Sequence, residues 1–362
     1  MKILYVYDKL PKTYQEYLNI LLHEIKKRTP IKILAYSSET GADYNISSSR
    51  LKRNFYTFVS KLGVIFKPNV GINIMRQYDI IHIQHSYLFV HLTSFFRNTT
   101  RKPKIVITLR GADTYLKPWI YEKWELFYKK QSQYIDAFVT VSQHQKAYLQ
   151  RWGVDEDKIH VIPVSFGNKT PALPKQLSGK TIKIISAHRM CWEKNINGNL
   201  RTILFLKEAG YNVQYDIFGD GPDKAQVSYL IDKYGLGKDV NFYGKIENAA
   251  YKRRLTDYDF FLQLSLSEAF GASVIEAQSM GLPAIISNTD GLPETILDGV
   301  TGYCVDANSS RDAANCIIDL YKDKEKFYSF SKEAIKHSNA NFSSDIEAEK
   351  LMQLYNSLIH KN

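Results

Sequence analysis

Glu268 and Glu276 lie eight residues apart in SEAFGASVIEAQSMG, a stretch otherwise dominated by small and apolar side chains. A buried carboxylate without hydrogen-bond donors costs on the order of several kcal/mol. Two of them here call for a ligand rich in hydroxyls, unless one only caps a helix or pairs with a lysine. Gly271, Ala272 and Ser273 between them are small enough to admit a sugar or phosphate to the free N–H groups that open a helix. Upstream, Arg189 and Lys194 in HRMCWEKN are spaced so that two cations can converge on one anion across a strand-to-helix turn, and a diphosphate has the size and charge for the pair. Gly219 and Gly221 in FGDGP have the form of a tight turn that lets a ligand near the backbone. Lys224 stands where the dinucleotide fingerprint requires a third glycine, which disfavours a nicotinamide dehydrogenase. Gly244-Lys245, after VNFY, completes four such places.

Each of these places follows a short apolar run, and that regularity supplies the frame. KILYVY, IKILAYS, YDIIHIQ, KIVITLR and AFVTVS alternate with longer helical patterns, and the alternation restarts at IKIISAH and runs through VQYDIFGDG, VNFYG, DFFLQLS and PAIIS. Strands separated by helices of ten or more residues imply right-handed βαβ units and parallel sheets, so two series imply two doubly wound α/β domains. In such sheets ligands sit at the carboxyl ends of the strands, which would gather all four places in one crevice. The expected organisation is an N-terminal domain over 1–165, a Pro-, Gly- and Ser-rich linker over 166–179, a C-terminal domain over 180–344, and a helix over 345–362 with a helical apolar stripe.

The 362-residue chain is 44% apolar and 23% charged, a globular composition. MKILYVYDKL is too short an apolar start for a signal peptide and reads as a buried strand, and no run is long enough to span a bilayer. Cys191, Cys304 and Cys316 match neither a disulfide framework nor a zinc pattern. The net charge of +11 is uneven: residues 1–165 carry 25 Lys and Arg against 13 Asp and Glu, the remainder 23 against 24. A basic first half suits an anionic partner, and nucleic acid is disfavoured because no recognition helix or stacking signature accompanies the charge. Arg50 to Lys67, with Arg50, Lys52 and Arg53 beside Phe55, Tyr56 and Phe58, has the composition of a lipid-interface segment and equally of an ordinary amphipathic helix.

SEAFGASVIEAQSMGLPAIISNTDGLPETILDGVTGYCV closely resembles the glutamate-x7-glutamate signature of the retaining family 4 glycosyltransferases, which have the GT-B fold of two facing Rossmann-like domains. The resemblance is specific from about Ile182 to Val305 and continues more loosely upstream in YDIIHIQH, ITLRGADTY and FVTVSQHQKAYL. It implies that Arg189 and Lys194 hold the donor diphosphate, that Glu276 accepts hydrogen bonds from the nucleotide ribose, and that Glu268 stands at the donor sugar. It places the backbone of Phe270, Gly271, Ala272 and Ser273 against sugar hydroxyls and phosphate, and base recognition around Lys245. Retention would come from same-face attack in which the leaving phosphate helps deprotonate the acceptor, and the C-terminal helix would cross back to the first domain.

Three positions depart from the family pattern. The glycine-rich loop after the first strand is replaced by VYDKLPKTYQEY, the usual His-Gly of the N-terminal domain is Arg110-Gly111 with Asp113 close behind, and the usual Asn-Gly near the linker is PVSFG. Arg110, Asp113 and His85 are therefore candidates for cross-cleft or acceptor contacts. His82 reads as a satisfied core or cleft residue, and Asp257-Tyr258-Asp259 as a helix end, with Asp259 capping it, and not as a metal site. The expectation is a metal-independent retaining glycosyltransferase with no cofactor, a UDP- or GDP-sugar donor ahead of an ADP-sugar, and a lipid-linked or cell-surface glycan acceptor. It would be cytoplasmic, peripheral on the acidic inner face of the cell membrane. The alternatives are a sugar-nucleotide-binding protein without transferase activity and a peripheral membrane interaction protein.

Overall fold

The computed structural model describes residues 1–10, 16–36, 41–46, 71–84, 88, 103–169 and 171–360. His85, Arg50, Lys52, Arg53 and the rest of the Arg50 to Lys67 segment lie outside the described residues. The chain divides into two compact units. One comprises Met1–Lys12, Leu22–Ile162 and Ala348–Asn362, the other Thr13–Leu21 and Pro163–Glu347.

Among the described residues, the first unit holds a seven-stranded sheet of β1 (Ile3–Tyr7), β2 (Ile31–Ala35), β3 (Tyr44–Asn45), β4 (Ile80–Ile83), β5 (Lys104–Thr108), β6 (Ala137–Thr140) and β7 (Ile159–Val161), in the order β3-β2-β1-β4-β5-β6-β7. Every recorded pairing is parallel. The central strands are covered on both faces, which is why ILYVY and IIHI are buried throughout. The end of the chain belongs to this unit. In the helix Ser344–His360, Tyr355 is fully buried and its hydroxyl lies 2.6 Å from both the Tyr5 hydroxyl and His82 Nδ1, while His82 Nε2 meets Thr108 Oγ1 at 2.7 Å. His82 is thus saturated by hydroxyls, and burial, with the Arg110 charge nearby, pushes its pKa down to about 3.

The second unit has β8 (Thr181–Ala187), β9 (Asn212–Phe218), β10 (Val240–Gly244), β11 (Phe260–Gln263), β12 (Ala284–Ser287) and β13 (Gly302–Val305) in the order β10-β9-β8-β11-β12-β13, again parallel. The pleat sends alternate residues to opposite cores. Ile184, Leu262 and Ile285 pack with Leu200, Ile317 and Phe327, while Ile185, Phe261 and Ile286 pack with Val274 and Ala277. The strand order reverses between β8 and β11, which are paired at Phe260–Ile184 and Phe261–Ile185, so the crevice for a ligand opens beyond Ala187 and Gln263.

The described part of the segment 166–179 is tied to this unit at several points: Phe166 N donates to Phe342 O at 3.0 Å, Lys175 N to Ser331 Oγ at 2.7 Å, and Leu177 is buried in the core. Asp259 does not cap the preceding helix. Its carboxylate accepts from Lys183 N at 2.9 Å while its own N–H donates to Lys183 O at 2.8 Å, which ties β11 to the start of β8. The clasp is partly desolvated, and that burial raises the Asp259 pKa.

Candidate active site

Beyond the carboxyl ends of β8 and β9 lies a cavity of about 470 Å³ whose wall includes His188, Arg189, Gly219, Lys245, Ala272, Ser273 and Glu276. Its floor is made by two loops packed against each other. His188 N donates to Phe218 O, Met190 N to Asp220 O and Asp223 N to Met190 O, all at 3.0–3.1 Å. A Cβ on Gly219 would stand 1.8 Å from the His188 carbonyl oxygen, and one on Gly221 would stand 2.1 Å from that of Met190. The glycines therefore admit the neighbouring protein backbone. Gly219 also lines the cavity.

Glu276 enters the wall from the helix Ala272–Ser279, whose residues from Val274 to Ser279 are all buried. The helix starts immediately after Gly271, which has φ 107° and whose Cβ would come within 2.5 Å of Leu292. Glu276 Oε1 accepts from Asn248 Nδ2 at 2.9 Å. Burial raises its pKa, with the Lys252 charge and the Asn248 hydrogen bond opposing. Close by, Asn248 Oδ1 and Tyr251 OH are buried without a partner, and both residues line the same cavity. A wall of this kind, with one carboxylate and two unspent polar groups, matches a ligand with several hydroxyls. Phe270 is different: its ring is buried edge-on against Phe342 at 5.4 Å, which leaves only its backbone for any ligand.

Lys194 and Glu268 are brought together as a mostly buried ion pair, and neither is among the residues lining the cavity, whereas the exposed Arg189 is. Glu268 Oε2 also accepts from Gln263 Nε2 at 2.8 Å, and Gln263 Oε1 accepts from Ser273 Oγ at 3.1 Å, so one fully buried amide links Glu268 to the start of the Glu276 helix. Asp290, held at φ 49°, accepts from the Glu268 N–H and from Ser267 Oγ. Asn199, also buried, accepts from Leu264 N and donates to Lys194 O, fixing the Lys194 turn to the end of β11. Sequence reasoning missed Gln263, Asn199, Asn248 and Asp290. A polar residue on the inward side of the apolar helix INGNLRTIL was the available signal for Asn199, and a glutamine inside the strand run DFFLQLS for Gln263.

In the first unit, Arg110 and Asp113 follow β5. The Asp113 carboxylate accepts from the backbone N–H groups of Arg110 and Gly111, at 3.2 and 3.1 Å, and so serves its own turn. Arg110 Nη2 donates to Gln84 Oε1 at 3.0 Å. A few residues on, Trp119, Ile120, Tyr121 and Leu126 are 56, 69, 45 and 37% exposed. Trp119 is nonetheless fixed, donating from Nε1 to Tyr148 OH at 3.0 Å and packing edge-on to Trp152, with the Arg151 guanidinium 4.7 Å from its ring; Lys117 and Lys123 stand over the Tyr121 ring. Among the described residues no group of three or more His, Cys, Asp or Glu could hold a metal ion, and no helix is long and apolar enough to cross a membrane.

Two Rossmann-like parallel-sheet units, the second with a cavity at its strand reversal, define a GT-B glycosyltransferase fold. HepE of Anabaena, solved in complex with UDP and glucose, matches 99% of the chain over all of its own length with a TM-score of 0.77 at 15% identity, a likeness of fold. The chain belongs to the family 4 type of group 1 glycosyltransferases. The family described as "Glycosyl transferases group 1" matches residues 171–337, and "Glycosyltransferase Family 4" matches residues 32–164. Among its relatives are the GtfA subunit of the UDP-N-acetylglucosamine–peptide N-acetylglucosaminyltransferase of Streptococcus parasanguinis, 22% identical over 66% of this chain and 48% of that one, and the alpha-monoglucosyldiacylglycerol synthase of Acholeplasma laidlawii, 28% identical over 48% and 43%. The chain thus spans about half the length, or somewhat less, of these curated relatives.

Proposed function

We propose that the protein transfers a sugar, with retention of anomeric configuration and without a metal, from a nucleoside-diphosphate sugar to a lipid-linked or cell-surface glycan acceptor at the cytosolic membrane face. The observation that carries this reading is the cavity wall, which brings together the buried Glu276, the unspent groups of Asn248 and Tyr251, and the cationic Arg189. Ribose hydroxyls donating to Glu276 and a diphosphate drawn to Arg189 would span it. Catalysis would then be positioning plus stabilisation of the leaving diphosphate, with Lys194 exchanging its Glu268 partner for phosphate oxygen as the donor enters. The HepE complex supports UDP as a donor base to test first, because that protein binds UDP and glucose in the same fold.

The membrane face is supported by the basic first half and by the rigid exposed cluster of Trp119, Ile120 and Tyr121 under Lys117, Lys123 and Arg151. A lipid acceptor is further supported by the Acholeplasma relative, whose name describes a glucosylated diacylglycerol product. The test is a thermal-shift screen of UDP-, GDP- and ADP-sugars with and without chelator. Stabilisation by one donor, abolished in Arg189→Ala and indifferent to EDTA, is the expected result. No shift with any donor would sink the transferase reading.

A further inference from the structure

The turn after β5 holds a cation that its protein surroundings leave uncompensated. Arg110 Nε and Nη1 are both shut off from solvent without a hydrogen-bond partner, and so is Gln84 Nε2 beside them. The two side chains are already locked together, because Arg110 Nη2 donates to Gln84 Oε1 at 3.0 Å, and Gln84 is 2% exposed. The obvious acid does not serve: Asp113 spends its carboxylate on the backbone N–H groups of Arg110 and Gly111. His82 on β4 is saturated by Tyr355 and Thr108 and carries no negative charge to offer. Among the described residues no carboxylate pairs with this guanidinium.

Buried N–H groups are almost always satisfied, and a desolvated guanidinium without a counter-charge is among the least favourable arrangements a fold can keep. Gln84 and Arg110 follow adjacent parallel strands, β4 and β5, at their carboxyl ends, where open parallel sheets take their ligands. Three donors of these two side chains have no acceptor there. A neutral sugar hydroxyl would satisfy one and leave the charge bare, whereas a carboxylate or phosphate group has the lone pairs and the charge for all three.

We propose that Arg110 and Gln84 form an oxyanion receptor, and that the substrate bound by the first unit carries a carboxylate or phosphate group at this position. The anion-binding property stands on the geometry alone. That the anion belongs to the acceptor or the transferred sugar rests on the transferase reading.

The test follows the Arg110 Nε–Hε resonance in protein labelled with ¹⁵N-arginine, assigned by its loss in Arg110→Lys. The probes are inorganic phosphate, methyl β-D-glucuronide and methyl β-D-glucoside. Saturable shifts of that resonance with phosphate, the glucuronide or both, and none with the glucoside, are expected; which anion binds tighter tells a phosphorylated from an acidic-sugar ligand. Gln84→Leu, which keeps the cation, should weaken the preferred anion about tenfold while the fold, followed by circular dichroism, is unchanged. Anion shifts at the arginines of the second unit but none at Arg110 up to about 50 mM would overturn the receptor, as would equal response to glucoside and glucuronide. Because the readout is local to Arg110, failure of nucleotide-sugar binding at Glu276 would leave the result intact.

Discussion

Replacing Glu276 by Gln separates two consequences of that carboxylate that have opposite signs. In the free protein the side chain is 6% exposed, and burial holds its pKa above the ordinary value despite Lys252 and Asn248. A carboxyl group that keeps its proton more tightly when folded contributes stability that is complete below the unfolded pKa and is lost as pH rises through the raised folded pKa. Gln has no charge to bury and retains an acceptor for Asn248, now 2.9 Å from Oε1. The Tm of Glu276→Gln should therefore match that of the parent below the unfolded pKa, and exceed it by a margin that grows as pH rises through the raised folded pKa and then levels off. Nucleotide binding should move the other way. Two ribose hydroxyls donating to a carboxylate are each worth roughly 1.5–3 kcal/mol, against about 1 kcal/mol to a neutral amide. The loss is then about 2.5 kcal/mol, or roughly 70-fold in Kd. Calorimetric titration with UDP and GDP at pH 8, beside melting curves from pH 4 to 8, measures both. A Tm difference independent of pH, or a Kd within about threefold of the parent, would refute the assignment.

Four further outcomes follow from the same geometry. Gly219→Ala forces a methyl group into the His188 carbonyl and should cost about 3 kcal/mol, seen as a lowered denaturation midpoint with an unchanged m-value. Gln263→Leu releases Glu268 from Ser273 and should lower kcat about tenfold while the nucleotide Kd stays within about twofold; a matching loss in Kd would make Gln263 a binding residue instead. Tyr355→Phe deprives His82 and Tyr5 of a buried partner and should destabilise the protein by roughly 1–3 kcal/mol in thermal melts, with nucleotide affinity unaltered. Ile120→Ser with Tyr121→Ser should weaken sedimentation with phosphatidylglycerol vesicles about tenfold and leave nucleotide binding as it was, and equal sedimentation would remove the cluster from the membrane surface.

The two parallel sheets were legible because their central strands are buried on both faces, so runs such as ILYVY and IISA announce themselves locally. The cavity lies where the same reasoning points, at strand ends. What the sequence left open are relations between distant residues. Lys194 faces Glu268 only because Asn199 pins one loop to the end of β11, and no spacing rule connects 194, 199 and 264. Arg189 and Lys194, close in the sequence, part company in the structure, one on the cavity wall and the other on Glu268. Asp259 looked like a helix terminator because its neighbours in the chain are helical, whereas its partner, Lys183, comes from another strand.

The interlocking of the loops after β8 and β9 limits how the cavity can change. Neither Gly219 nor Gly221 has room for a side chain, and each loop supplies the other's hydrogen-bond partners, so this side of the wall varies as a pair or not at all. Adaptation to a different nucleotide would therefore be concentrated at lining residues outside that backbone clasp, such as Lys245 and Asn248. A library confined to those two positions should retain folding in most of its members, while one that includes 219 and 221 should lose it in nearly all.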